Sequence, residues 1–444
     1  MTVIVPGALD GRIRGAAAAL SAARPRPRVV GLRADNGADW LVADLAAQEA
    51  GVVLVPLPAF FTPEQCNHAI EASGMDAMLG AALPAFERAG EVEGLPLFRR
   101  DTGPADLPPG VSKITFTSGT TGTPKGVALD NAQQWCVARA LADATQPLGL
   151  RRHLCLLPLA VLLENIGGVY APQVAGIESC VPPLAEVGMR GSSSFDAAQC
   201  LNAMERWEPD SVILLPQMLA AICACLEHGA RAPRSLKLAA VGGGKISRAL
   251  IERARKLGLP AYEGYGLSEC ASVVTLNLPG ADRPGSVGRP LPHTGVRIDR
   301  REVYVKTGTR WIATGDLGHV DEDGFLYIDG RRKHVLITAF GRNVSPEWPE
   351  AELLAGRAIV QAAVFGEARP RLCAVLVPAP GASDAAVAAD VHAANSRLPD
   401  YARIGAWVRA ATPFTAQNGL ATENGRARRD ALWRAYGERL DGLL

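Results

Sequence analysis

Strand-like apolar runs alternate with helical stretches through much of this chain, and that alternation limits the fold more than any other feature. "RVVGLRAD" (28–35) is followed by the Ala-rich segment Trp40–Ala50 and then by "GVVLVPLP" (51–58). Later "SVILLP" (211–216) and "KLAAVGGG" (237–244) each lead into a helical pattern. Runs ordered this way predict an α/β fold with largely parallel strands. The 444 residues, 48% of them hydrophobic, suffice for a sizeable core and for two or more domains. After about residue 285 the texture changes. "GVRIDRREVYVKTGTRWIATGDLGHVDEDGFLYIDG" (295–330) reads as short strands joined by Gly/Asp turns. From "RRKHVLIT" (331–338) onward the patterns mix strands and helices, ending in the helical "RRDALWRAYGERL" (428–440).

Charge and cysteine usage exclude several classes. With 46 basic against 45 acidic residues the net charge is +1, which points to neither nucleic acid nor an anionic membrane as partner. "MTVIVPGALD" has no basic n-region and no long apolar stretch, so no signal peptide is expected. The longest apolar run, Leu154 to Leu163, stops at Glu164, well short of the roughly 20 residues a spanning helix needs. Nine cysteines are scattered, and the one close pair, Cys223 and Cys225, has neither redox nor zinc spacing. Buried reduced thiols in a reducing cytoplasm are the expectation.

"ITFTSGTTGTPKGVALD" (114–130) carries the clearest chemistry. Gly119 and Gly122 permit tight turns that bring backbone N–H groups close to anionic oxygens. Thr117, Ser118, Thr120, Thr121 and Thr123 add hydroxyl donors, and Lys125 supplies a compact positive charge suited to a polyphosphate. The loop is not a Walker A motif, because Pro124 precedes the lysine and Gly126 follows it. By composition alone a flexible Ser/Thr/Gly surface loop stays open as the alternative.

The full pattern T-S-G-T-T-G-T-P-K-G resembles the signature loop of the adenylate-forming superfamily, which comprises acyl-CoA synthetases, nonribosomal adenylation domains and luciferases. Other stretches match in family order. "LLPLAVLLENIGG" (156–168) is similar to the L-P-L-A-H-x-x-E segment of long-chain acyl-CoA synthetases, with Glu164 at the acid and Val161 in place of the histidine. "VGGGKIS" (241–247), with Gly243 and Gly244, resembles the strand end that flanks adenine and the acyl carboxyl. "YEGYGLSE" (262–269) resembles the Y-G-x-T-E motif. The resemblance implies that Tyr265 stacks on adenine beside Gly266, that Ser268 meets the α-phosphate, and that Glu269 holds Mg²⁺. In "TGDLG" (314–318), Asp316 is implied to accept the ribose hydroxyls. In "GRRKH" (330–334), Arg331 is implied to reach ribose or phosphate, and Lys333 to be the hinge. Gly341 matches the loop where a pantetheine arm enters.

The resemblance implies a large N-terminal domain (1–330) of parallel-sheet α/β subdomains plus a β-barrel-like part, followed by a small mobile α+β C-terminal domain (331–444). It implies ATP and Mg²⁺ as cofactors, and CoA or a phosphopantetheine thiol as acceptor. Its reaction activates a carboxylic acid, fatty or otherwise apolar, as acyl-AMP with release of pyrophosphate, and then forms the thioester. Transfer to a carrier-protein phosphopantetheine is one alternative. Another is a catalytically weakened nucleotide-binding homologue, because "NGLATENGRARR" (418–429) puts Arg426 where the family has a catalytic lysine, and no lysine follows Lys333. Lys125, Glu269 and Arg426 are the catalytic candidates.

Overall fold

A computed structural model describes the chain except residues 1–2, 104–105, 118–123, 192–193, 423–424 and 444. The predicted α/β architecture with largely parallel strands is present, divided between two large sheets. In the first, Val29–Arg33 pairs in parallel with both Val53–Pro56 and Ala77–Gly80, and Val53–Pro56 pairs in parallel with Lys113–Thr117. Antiparallel strands close both edges, and the last of them, Lys125–Leu129, folds back on Lys113–Thr117 with Thr117 opposite Lys125. The second sheet has eight strands. Its centre runs in parallel through Glu178–Cys180, Arg152–Leu154, Ser211–Leu214, Leu238–Val241 and Ala261–Leu267.

Val29–Arg33, Val53–Pro56, Ser211–Leu214 and Leu238–Val241 are near-continuous apolar runs because helices cover both faces. Ala38–Ala50 and Asn131–Thr145 lie between the two sheets. Their buried side chains form one core with Val30, Leu32 and Leu54 of the first sheet and Val273 and Leu276 of the second. Helices Ala197–Trp207, Pro216–Glu227 and Arg248–Lys256 cover the outer face of the second sheet. Local signals set the helix ends. At Pro63–Ser73, Thr62 and Gln65 cap each other reciprocally, and Gly74 closes the helix in the left-handed region at φ 61°.

The stretch read as barrel-like is a four-stranded antiparallel sheet, Val296–Asp299, Glu302–Thr307, Arg310–Val320 and Leu326–Arg331. Its apolar face packs on Cys270 and Val274. Beyond it, Ile359–Phe365, Leu372–Pro378 and Ile404–Arg409 form a separate sheet. Two cores drawn wholly from residues after 335 enclose that sheet, one on each face. All nine cysteines are free thiols, seven of them buried, with Cys225 partly covered and Cys136 exposed. No helix among the described residues is long and apolar enough to cross a membrane.

Candidate active site

The signature loop leaves the first sheet at Thr117 and returns at Lys125. Ser118, Gly119, Thr120, Thr121, Gly122 and Thr123 lie outside the described residues, as does the side chain of Thr117. The loop's exit is fixed: His68, on helix Pro63–Ser73, bonds through Nε2 to the Pro124 carbonyl at 2.9 Å. Lys125 Nζ lies 3.9 Å from Glu269 Oε1. The Gln133 amide donates to the Glu269 carbonyl at 3.0 Å and so ties the second motif to the helix that follows the first. Neither His68 nor Gln133 carries a spacing signal, since these contacts span 56 and 136 residues.

Glu269 and Ser268 stand just past strand Ala261–Leu267, which turns back at once into Ser272–Leu276. That return requires glycine at 266, where a Cβ would lie 1.8 Å from the Ser272 carbonyl oxygen. Gly243, two residues past strand Leu238–Val241, has φ 81°, in the left-handed region. Tyr265 donates its hydroxyl to Asp316 Oδ2 at 2.6 Å, and Arg331 Nε meets Asp316 Oδ1 at 2.8 Å. Burial pushes the Asp316 carboxyl above its ordinary range, while Arg331 and Tyr265 oppose that rise. Burial, then the charge of Asp316, pushes the Tyr265 phenol well up, so the phenol stays a hydrogen-bond donor.

One cleft of about 900 Å³ is bordered by Lys125, Gly243, Gly244, Tyr265, Gly266, Ser268, Glu269, Arg331, Lys333 and Arg426. Residues separated by up to three hundred positions therefore share a single wall system, with Asp316 held against it by Tyr265 and Arg331. Arg426 borders the cleft with its side chain still exposed to solvent there. Loss of water around it, followed by the nearby charge of Arg331, lowers its pKa, while Glu347 and Asp316 oppose the fall. Lys333 is exposed within the short turn Arg332–His334, where His334 bonds Glu347 and Arg332 pairs with Glu302 at 2.8 Å.

Lys125, Arg331, Arg332, Lys333 and Arg426 converge on this cleft against the carboxylates Glu269 and Glu302. The excess of cations suits a polyanion. Away from them the cleft turns apolar, passing Val161, Leu162, Ile213, Leu215 and Ala240. Val161 keeps this part apolar, but His153 and Ser211 also reach its wall, which the sequence did not signal. Glu164 is fully buried and bonds His153 rather than the cleft.

Comparison with known proteins agrees with this arrangement. The AMP-binding enzyme family matches residues 7–317, and its C-terminal domain matches residues 333–443. The chain is 32% identical to a 2-succinylbenzoate–CoA ligase of Geobacillus kaustophilus over 58% of its own length. That alignment spans 56% of the relative, little more than half. It is 27% identical to the long-chain-fatty-acid–CoA ligase FadD15 of Mycobacterium bovis, over 78% of this chain and 72% of that one. Among solved structures, the anthranilate CoA ligase AuaEII in complex with anthranoyl-AMP superposes with TM-score 0.79 at 21% identity, covering 96% of this chain and 90% of that one. The O-succinylbenzoate CoA synthetase of Bacillus subtilis with ATP and magnesium superposes with TM-score 0.75 at 23% identity, covering 96% and 93%. The motifs, their convergence on one cleft and the family match over most of the chain lead to one conclusion: the protein belongs to the AMP-binding enzyme family.

Proposed function

We propose that the protein activates an apolar carboxylic acid with ATP, forming acyl-AMP and pyrophosphate, and then passes the acyl group to the thiol of CoA. The observation that carries this reading is the shape of the cleft, cationic at the mouth where the ATP motifs meet and apolar within. A carboxylate acylates poorly because its leaving group is oxide; joining it to AMP supplies a good one. Attack at the α-phosphorus is an in-line displacement, in which protein acts by positioning and charge stabilisation. Lys125 neutralises the departing pyrophosphate. Asp316 accepts ribose hydroxyls through lone pairs left over after Tyr265 and Arg331. Arg426 places its guanidinium against the carboxylate and the α-phosphate.

Glu269 and the Ser268 hydroxyl are hard oxygen donors at the polyphosphate end, a set that fits Mg²⁺. The ion supplies neutralisation of charge on the phosphate oxygens. Residues 331–444 act as a mobile C-terminal domain turning about Lys333, and residues 1–330 hold ATP and acid. After turning, the domain would admit the acceptor thiol past Gly341.

The relatives' names include both aromatic and long-chain acids, so the apolar inner cleft is the support for the acid class proposed here. Pyrophosphate release measured across fatty and aromatic acids, with CoA and separately with a holo carrier protein, tests the reading. Release that needs an acid and ATP and is lost in Lys125→Ala and Glu269→Gln is expected. Turnover with carrier protein alone would move the acceptor to phosphopantetheine, and release with no acid would favour a weakened nucleotide-binding homologue.

A further inference from the structure

The inner cleft is not uniformly greasy. Ser211 begins strand Ser211–Leu214 and lies opposite Leu238 in register, while Leu214 lies opposite Val241. Gly243 follows two residues later, at the carboxyl-activating end. Three residues of strand and two beyond its end, at no more than ~3.3 Å each, separate the two levels by at most about 16 Å. Both Ser211 and Gly243 border the same cleft. An extended chain advances roughly 1.2 Å per bond, so about a dozen carbons bridge that span.

At the far level the wall carries a buried relay. His153 Nδ1 lies 2.9 Å from Ser211 Oγ, and His153 Nε2 lies 3.0 Å from Glu164 Oε1. Glu164 Oε2 accepts the Leu157 N–H at 2.9 Å. All three side chains are at most 5% exposed. Glycine at 168 makes room for the relay, since a Cβ there would meet Glu164 Oε1 at 2.2 Å and His153 Nε2 at 2.8 Å. The pattern of acceptors sets the direction of the protons. A carboxylate only accepts, so a neutral His153 donates Nε2–H to Glu164, which leaves Nδ1 as an acceptor. Ser211 then spends its hydroxyl proton on Nδ1 and faces the cleft with lone pairs.

We propose that Ser211 is a specificity-determining residue that accepts a hydrogen bond from the far end of the acid, so that the preferred substrate is an apolar acid bearing a terminal hydroxyl. His153 and Glu164 are positioning residues that fix which way the Ser211 proton points. This inference rests on the acid-activation reading above and adds the substrate's tail to it. A chain ending in methyl would leave Ser211 facing hydrocarbon with no donor.

The test is acid-dependent pyrophosphate release with three chain-matched acids: dodecanoic acid, ω-hydroxydodecanoic acid, and one ending in a methyl ketone. Ratios of kcat/KM between acids within one protein cancel any loss of folded enzyme. The wild type is expected to prefer the hydroxy acid roughly three- to tenfold, the worth of one net hydrogen bond, and Ser211→Ala to lose that preference. Glu164→Gln reverses the relay. Its amide oxygen keeps the Leu157 N–H, its NH₂ donates to His153 Nε2, and Nδ1–H then donates to Ser211, freeing the serine proton for an acceptor. This variant is expected to shift preference toward the ketone. Equal use of hydroxy and plain acid by the wild type, or a preference unchanged in Ser211→Ala, overturns the inference while leaving acid activation standing. Release with none of the three acids, but with a short aromatic acid, overturns the tail site alone. Release with no acid at all overturns both.

Discussion

Replacing Asp44 by Asn is expected to loosen the seam between the two sheets. Lys113, on the strand that enters the signature loop, is 1% exposed, and its Nζ sits 2.8 Å from Asp44 Oδ1. The same ammonium donates to Asn165 Oδ1 at 2.6 Å and to the Tyr170 hydroxyl at 2.9 Å. Tyr170 and Asn165 in turn donate to Asp44 Oδ2 at 2.7 and 2.9 Å. Trp135 stacks on Tyr170 with ring centroids 4.6 Å apart. The network thus joins the strand beneath the phosphate loop to the Asn165–Tyr170 turn beside the inner cleft. Asp44→Asn leaves a buried ammonium without its counter-charge, at a cost of about 3–5 kcal/mol.

The sign with pH follows. Burial already holds the Lys113 ammonium below its ordinary 10.5, and losing Asp44 lowers it further. A lowered lysine binds its proton less well when folded, so stability rises with pH up to the ordinary value. The deficit of the variant therefore shrinks as pH rises from about 7 to 10. Urea unfolding followed by tryptophan fluorescence at the two ends of that range reads it out. The double variant Asp44→Leu with Lys113→Met is expected to recover most of the loss, since neither charge then stays buried. An Asp44→Asn midpoint equal to the wild type at neutral pH, or a deficit that does not shrink on the alkaline side, would refute this reasoning.

Glu263, on the same strand as Tyr265, is 5% exposed, and burial raises its carboxyl to about 8, with Lys245 opposing. The folded state then holds a proton that the unfolded chain releases near 4.5, so stability is full below 4.5 and falls as pH rises toward 8, by up to roughly 5 kcal/mol. Glu263→Gln is expected to flatten that fall in a thermal-melt series. Arg426→Ala is expected to slow acyl-adenylate formation by about 10²- to 10³-fold, as for loss of one transition-state donor, with little change in ATP binding by calorimetry; equal loss of both would make it a binding residue only. Tyr265→Phe leaves Asp316 paired only with Arg331 and is expected to raise KM for ATP several-fold, on the order of one charge-assisted hydrogen bond, with kcat nearly kept. Glu227 accepts from Arg253 at 2.8 Å and pairs with Arg357 at 2.8 Å, and Arg253 also bonds the Ala355 and Gly356 carbonyls. Glu227→Gln is expected to free that contact and raise protease sensitivity around residue 333.

The order of motifs along the chain was enough to name the family, the largely parallel α/β architecture and the charged and glycine-rich residues at one part of the cleft's border. Those features are local: a strand-like run, a Gly-rich turn or a charged pair at fixed spacing keeps its meaning wherever the chain goes. Gly266 and Gly243 are legible for the same reason, because each serves the backbone at its own position. Contacts that depend on which strands become neighbours are not written in any window. His68 reaching Pro124, Gln133 holding Glu269, and Lys113 meeting Asp44 all join segments whose adjacency exists only after the sheets form. His153 reads as an isolated histidine until the second sheet sets Arg152–Leu154 beside Ser211–Leu214 and the next helical turn brings Glu164 back against it. Sequence fixes which groups are present, but a hydrogen bond needs partners within about 3 Å, and only tertiary packing brings distant residues that close.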